Sequence, residues 1–394
     1  MADLPVDDLL MKLTKRMLDL IDRKATDLAP SIMYEPTSLY ADQAYLERER
    51  LAIFARSPLL LGLTADIPVP GSWHAVEICD TPLLMCRDED GRARLFLNSC
   101  RHRGVKLCEG SGNGRTSFTC PFHAWRYNLR GELTSVPEPE GFEELDRAAH
   151  GLVELPIAEK YGLLFGRPTP SDEPLDVDEL LCGLGPELAD WGIDSFSRFT
   201  PHHLHPFRGN WKSAWATFCE NYHFAFLHSR TLKNYLVSRR QAIDLYGPHV
   251  RMVSALRSIE KMRQQPESEW QPGKHISVQY RFFPTVNFSL YPDKLEAYWI
   301  YPGRVPEEGY GVHAVYVREQ PATEQARKEL EAAVIFGCED IINAEDFWVT
   351  GQTVPGLYAP ARPEHLVFGR NEPAVQHFHR QFRETVARLA PTRS

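Results

Sequence analysis

Apolar and polar positions alternate in three different ways along the chain. Residues 7–26 (DDLLMKLTKRMLDLIDRKAT) place Leu9, Leu10, Leu13, Met17, Leu18 and Ile21 at steps of three and four, which predicts an amphipathic helix ahead of the main body. Its apolar stripe is a packing surface, within the chain or between subunits. From about residue 57 to 168 the pattern shortens to apolar runs between turn signals: PLLLGLTADIPVPGSWHAVEI, TPLLMCRDEDGRARLFLNSC, FTCPFHAWRYNLRGEL and YGLLFGRP. Strands at hairpin spacing predict a small antiparallel β domain. The acidic, proline-bearing TPSDEPLDVDE then reads as a connection into a second domain.

Beyond it, ISVQYRFFPTVNFSLYP, EAYWIYP and GVHAVYVREQ are dense in aromatic and β-branched residues and predict further strands. Helices are expected over 208–230, over TEQARKELEAAVIFGCEDIINAEDFW, and where Val375, Phe378, Phe382, Val386 and Leu389 form one stripe. The fold class is therefore α+β. The expected division is a helical extension over 1–45, a β domain over 46–168 and an α+β domain over 169–394.

With 394 residues, 43% hydrophobic and 25% charged, the chain is long enough for two or three cored domains. A formal net charge of −9 without any Lys/Arg block argues against nucleic acid. No apolar run approaches the roughly 20 residues of a membrane span, and MADLPVDDLL carries acids where a signal peptide carries bases. A cytoplasmic protein without membrane partners is expected. Its eight cysteines, Cys79 to Cys338, have no repeated spacing, so reduced thiols and metal ligation are expected rather than disulfides.

Two mixed pairs carry the first candidate chemistry: Cys100-x-His102 and, 17 residues on, Cys120-x-x-His123, each on a turn between strand-like runs. Zinc fingers instead pair like with like, two cysteines and then two histidines. A [2Fe–2S] cluster with two cysteines on one iron and two histidines on the other needs one of each from two facing loops. Cys108 fits no ligand position and reads as a small loop residue.

Downstream, NWKSAWATFCENYHFAFLHSR holds Glu220, His223 and His228. On an ideal helix Glu220 and His223 lie about 60° apart but His223 and His228 about 140°, so one shared metal requires the helix to widen or end between them. A carboxylate would complete a two-His-one-carboxylate triad suited to non-haem Fe(II) and O₂, and Asp340 and Asp346 are the candidates. They sit about 120° apart on an ideal helix, so both do not face one metal. His202, His203 and His205 have no acid or cysteine at ligand spacing and read as solvated or capping residues, and Cys219 as a packing residue. The aromatics of RFFPTVNFSLYP read chiefly as core, some of them lining an apolar pocket.

C-R-H-R-G and C-P-F-H-A-W resemble the two motifs of Rieske iron–sulfur domains, with Trp125 where a tryptophan usually packs on the cluster and Phe122 and Ala124 replacing the commoner tyrosine and glycine. With N-W-K (Asn210 to Lys212), E-N-Y-H…H and E-D…Q-x-x-x-G-L ending at Leu357, the chain from about residue 40 onward resembles the catalytic (alpha) subunit of Rieske non-haem iron oxygenases, the aromatic-ring-hydroxylating dioxygenase family. The resemblance implies a small antiparallel β Rieske domain and a helix-grip (START/Bet v1-like) catalytic domain of antiparallel sheet and covering helices. It implies one [2Fe–2S] cluster per chain at Cys100, His102, Cys120 and His123. It also implies one Fe(II) at His223, His228 and Asp346, with Asp340 as runner-up.

Glu220 stands where the family carries an acid, more often Asp, that bridges to a cluster histidine of the adjacent subunit. A homotrimer follows from that resemblance, alone or with a beta subunit. No G-x-G-x-x-G unit is present, so NAD(P)H is expected to act only through a partner reductase or ferredoxin. The implied function is that of a terminal oxygenase activating O₂ to hydroxylate an organic, by family weight aromatic, substrate. Monooxygenation or demethylation of a non-aromatic or quaternary amine substrate is the alternative, since such substrates occur among family members with Glu at the bridge. An electron carrier or redox sensor, or a zinc-stabilised binding protein, are the readings from other classes.

Overall fold

Between Phe54 and Leu180 the alternating pattern becomes three antiparallel sheets, which with Gly192–Ser195 make one compact unit of a computed structural model describing residues 6–390. Five strands run in the order Glu154–Leu155, Ala93–Leu97, Thr81–Arg87, Trp73–Ile78 and Ser111–Gly112. Cys79 and Asp80 turn the central hairpin with φ of 49° and 68°, the left-handed pair that a tight two-residue turn requires. Ile157–Lys160, Leu163–Gly166 and Leu59–Leu63 form a second sheet, and Ser117–Thr119, Arg126–Asn128 and Leu133–Ser135 a third. Leu84, Phe96, Phe118 and Tyr127 are fully buried in a core that also includes Cys100, Cys120 and Trp125.

TPSDEPLDVDE folds back on this unit instead of linking two bodies. Arg167 binds Glu173 at 2.9 Å, Thr169 donates to the Ala55 carbonyl at 3.0 Å and Tyr161 donates to Asp178 at 2.8 Å. The boundary consequently falls at Leu180/Leu181, later than 168/169. The other boundary falls at Ile53/Phe54, and the described residues of the separate extension expected over 1–45 belong to the second unit. Among the described residues that unit comprises 6–53, 181–191 and 196–390.

Its centre is an eight-stranded antiparallel sheet in the order Ser197–Arg198, Glu308–Val317, Lys294–Pro302, Val286–Leu290, Ile276–Phe282, His249–Ala255 and Ala242–Tyr246, with His203–Arg208 also paired to Glu308–Val317. His249–Ala255 and Val286–Leu290 are buried at every position, so both sheet faces are covered there. The helix Asp7–Asp22 lies against Ala242–Tyr246 and His249–Ala255, burying Leu10, Leu13, Met17 and Leu18, and Arg16 binds Asp244 at 2.8 Å. Its stripe is thus used within its own unit. The last helix, Pro373–Leu389, buries Val375, Phe378, Phe382 and Val386, with Trp215 and Trp211 edge-on to Phe378 and Phe382 at 5.2 and 4.8 Å. No helix among the described residues is long and apolar enough to cross a membrane.

The N-W-K triplet anchors this unit. The helix Trp211–Phe218 starts where the Asn210 side chain accepts from the Lys212 amide at 2.9 Å, while its own amide donates to the carbonyls of Tyr40 and Pro306. Lys212 and Glu49, 2% and 0% exposed, pair at 2.6 and 2.8 Å, and the Trp211 indole donates to the same carboxylate at 3.1 Å. Burial lowers the Lys212 pKa and raises that of Glu49, so each charge depends on the other. Lys212→Met is expected to cost about 3–5 kcal/mol, and Glu49→Leu/Lys212→Met to recover most of it, in urea unfolding followed by tryptophan fluorescence.

Candidate active site

The two Cys/His pairs sit on two tight turns. In the first, the Gly104 amide donates to the Cys100 carbonyl at 2.9 Å and Gly104 has φ 75°. In the second, the Ala124 amide donates to the Cys120 carbonyl at 3.0 Å, and Ala124 takes φ 54°, a left-handed position where glycine costs less. Cys100 and Cys120 are each 3% exposed, while the histidines stand nearer the surface with ring centroids 4.8 Å apart. Trp125 stacks on His102 at 4.9 Å and 7°, and Phe142 lies edge-on to both rings.

The chemistry of this set suits a cluster. Burial raises the Cys100 thiol pKa against the Tyr127 hydroxyl, 3.3 Å from its sulfur, and a thiol so buried ionises readily only beside a cation. Burial, His123 and Arg103 together lower the His102 pKa, favouring the neutral imidazole with a free lone pair. His123 Nδ1 is buried without a hydrogen-bond partner, an inward donor atom awaiting a ligand. Cys108 is instead a core residue, 9% exposed, with its backbone held by the Asn98 side chain and its thiol pushed up to about 11 by burial.

In the other unit the helix expected over 208–230 stops at Phe218, and a separate 3₁₀ turn, His223–Ala225, follows. The interruption lets both rings aim at one point. His223 Nε2 and His228 Nε2 are 3.1 Å apart, and Asp346 Oδ1 is 3.5 Å from each. A point about 2 Å from all three atoms exists inside that triangle, the length of an ordinary metal–nitrogen or metal–oxygen bond. Asp346 Oδ1 is buried with no hydrogen bond, as a ligand atom would be.

Charge points the same way. Burial disfavours the His223 cation, but the Asp346 and Glu220 carboxylates outweigh it and raise the pKa to about 9. Burial likewise disfavours the Asp346 anion, and the two imidazoles overcome it. A pocket that draws a proton so strongly draws a metal cation for the same reason.

Each imidazole is oriented by a carboxylate at its far nitrogen. Glu220 Oε1 accepts from His223 Nδ1, and Glu220 Oε2 from the backbone amides of Tyr222 and His223. Glu345 Oε2 accepts from His228 Nδ1 and from the Thr231 hydroxyl, both at 2.6 Å. Sequence reasoning missed Glu345, although its place next to Asp346 in AED was the available signal. Glu345→Gln is expected to weaken iron retention about 10–100-fold while leaving the cluster spectrum intact, as read by iron content after dialysis against a chelator.

Asp346 reaches the triangle because the expected helix is α over Glu324–Ile335, π over Phe336–Phe347 and α again over Trp348–Tyr358. The wider π turns carry Asp346 inward at 3% exposure and leave Asp340 exposed. Cys219 is a fully buried packing residue, and Phe282 and Phe288 of RFFPTVNFSLYP meet edge-on at 5.2 Å in the core. His202 hydrogen-bonds the Tyr316 hydroxyl at 2.9 Å and His203 is exposed. His205 departs from the solvated or capping role expected of it, lying 3.1 Å from the Cys338 sulfur.

Residues 57–149 match the Rieske [2Fe-2S] domain family, and residues 193–388 the ring hydroxylating alpha subunit (catalytic domain) family. Over 164 residues, 41% of its length, the chain is 35% identical to the biphenyl 2,3-dioxygenase alpha subunit of Rhodococcus jostii. Over 199 residues, 50% of its length, it is 31% identical to the glycine betaine monooxygenase oxygenase subunit of Chromohalobacter salexigens. The chain spans 34% and 44% of those relatives' own lengths. In fold it is similar to the quaternary ammonium Rieske monooxygenase CntA, with a TM-score of 0.76 at 18% identity over 91% of this chain and 99% of that one. Matched in this order over 57–149 and 193–388, the two domains show that the chain belongs to the Rieske ring-hydroxylating oxygenase alpha-subunit family.

Proposed function

We propose that this chain is a terminal oxygenase component that takes electrons from a separate reductase or ferredoxin and hydroxylates an organic, aromatic substrate with O₂. The observation that carries the reading is the pairing, in one chain, of two mixed Cys/His turns with a buried His/His/Asp triangle. Cys100, His102, Cys120 and His123 would hold the cluster, with Trp125 packed beside it, and His223, His228 and Asp346 the iron. When bound, the cluster passes single electrons and the iron activates O₂.

The chain's own residues keep those donors ready. Glu220 and Glu345 fix both imidazoles with Nδ1–H outward and the Nε2 lone pairs inward. Glu220 is also proposed as the bridge to a cluster histidine of a second copy in a homotrimer. Supporting this, the segment around it displays Tyr222, Phe226 and Tyr235 at 49%, 61% and 64% exposure, an aromatic surface suited to burial against another subunit. Iron and acid-labile sulfide should approach two cluster irons plus one further iron per chain, and O₂ uptake with a reductase should match product formed. A colourless preparation, or a coloured one that never couples O₂ uptake to product, would reject the reading.

Glu rather than Asp at position 220 favours a second reading, demethylation or monooxygenation of a quaternary amine, and the resemblance to glycine betaine monooxygenase and CntA supports it. Parallel oxygen-uptake screens with aromatic and quaternary ammonium compounds separate the two. Formaldehyde release marks demethylation, and a ring diol marks dihydroxylation.

A further inference from the structure

The unit that holds the His/His/Asp triangle brings a second set of donor atoms together. His205 on strand His203–Arg208, His313 on strand Glu308–Val317 and Cys338 on the π-helical segment each offer a ligand atom, all within 4.8 Å of one another. His205 Nε2 lies 3.1 Å from Cys338 Sγ. This is a softer set than the triangle, two imidazoles and a sulfur against two imidazoles and a carboxylate.

His313 is the most telling member. It is 2% exposed, stacked on Tyr298 at 4.2 Å and 17°, and neither ring nitrogen has a hydrogen-bond partner. A neutral imidazole carries one donor and one acceptor, and buried polar atoms are rarely left unmet without a reason. Around His205, Nδ1 lies 2.9 Å from Asn343 Nδ2 and 3.7 Å from Glu339 Oε1; a metal on Nε2 leaves the ring proton on Nδ1, where the Glu339 carboxylate is the acceptor at hand. Cys338 is 4% exposed, and burial holds its thiol protonated with a pKa pushed up to about 12. A bound cation would displace that proton to solvent and be met by thiolate.

We propose that His205, His313 and Cys338 form a second metal site, taking a borderline divalent cation such as Zn²⁺ with a fourth position left for water. The site joins two neighbouring strands to the π-helical segment whose other end carries Asp346. It stands on its own donors and does not depend on the oxygenase reading.

Holoenzyme carrying its cluster and iron is treated with Zn²⁺, freed of excess, and examined by elemental analysis and zinc-edge X-ray absorption. One zinc per chain is expected, with a single sulfur neighbour at about 2.3 Å, and with iron content and cluster spectrum unchanged. Cys338→Ser should remove the sulfur neighbour and weaken zinc binding at least tenfold. His205→Asn, at a less buried position, should weaken it similarly and serves if the first variant does not fold. The proposal is overturned by no zinc uptake, by zinc with only nitrogen and oxygen neighbours displacing iron, or by a sulfur neighbour that survives in Cys338→Ser.

Discussion

Asp346→Ala is expected to retain the visible spectrum of the [2Fe–2S] cluster while losing the mononuclear iron and lowering turnover by more than about 100-fold. The magnitude has a floor, because removing even an outer partner of a metal ligand costs about 10–100-fold in metal affinity or activity. Asp346 does more than an outer partner: its Oδ1 is the one anionic corner of the donor triangle and has no other bond in the structure. Without it two neutral imidazoles face the cation, and the attraction that raises the His223 pKa to about 9 loses one of its two carboxylates. Iron per chain, the cluster spectrum and product formation read the result together. Retained iron with retained turnover would take Asp346 out of the ligand set.

Glu220→Gln is expected to weaken iron retention about 10–100-fold, as Glu345→Gln does, and, with iron restored to its full content, still to reduce turnover by about 100-fold or more. The amide keeps the shape of the carboxylate but offers one acceptor atom instead of two. In the structure both oxygens are used, one by His223 Nδ1–H and the other by the Tyr222 and His223 amides. A bridging role also requires a further imidazole N–H to be accepted, which the amide cannot do without giving up a bond already made. The discriminating readout is single-turnover: the cluster should still be reduced by its donor, and its reoxidation in the presence of substrate and O₂ should slow. Normal cluster reoxidation in the iron-replete variant would assign Glu220 a purely positioning role. Glu220→Asp, which keeps the charge and shortens the reach, should recover part of the rate.

Much of the site was legible because it is local. Cys100/His102 and Cys120/His123 each lie on one turn, so their spacing alone brings each pair together, and the mixed pairing distinguishes a cluster from a zinc finger. Helix geometry likewise excluded one continuous helix through His223 and His228, but the structure ends the helix earlier than expected, at Phe218, ahead of both histidines. Spacing said less about domain limits. TPSDEPLDVDE has linker composition, yet Arg167, Tyr161 and Thr169 hold the segment to the β unit through bonds that composition does not reveal.

Legible from local pattern alone, then, were the order of strand-rich and helical regions, the four residues proposed to hold the cluster and the two histidines of the proposed iron triangle. All follow from periodicity or from spacings within one turn or one helix. Tertiary structure decided the rest. Asp346 prevailed over Asp340 because the helix winds as π there, a hydrogen-bond register that side-chain periodicity does not encode. Glu49 meets Trp211 across 162 residues, and Cys338 meets His205 across 133. Contacts of that range depend on which strand pairs with which and on where a helix crosses the sheet. Those are properties of the whole packed chain, and no local pattern of apolar and polar residues carries them.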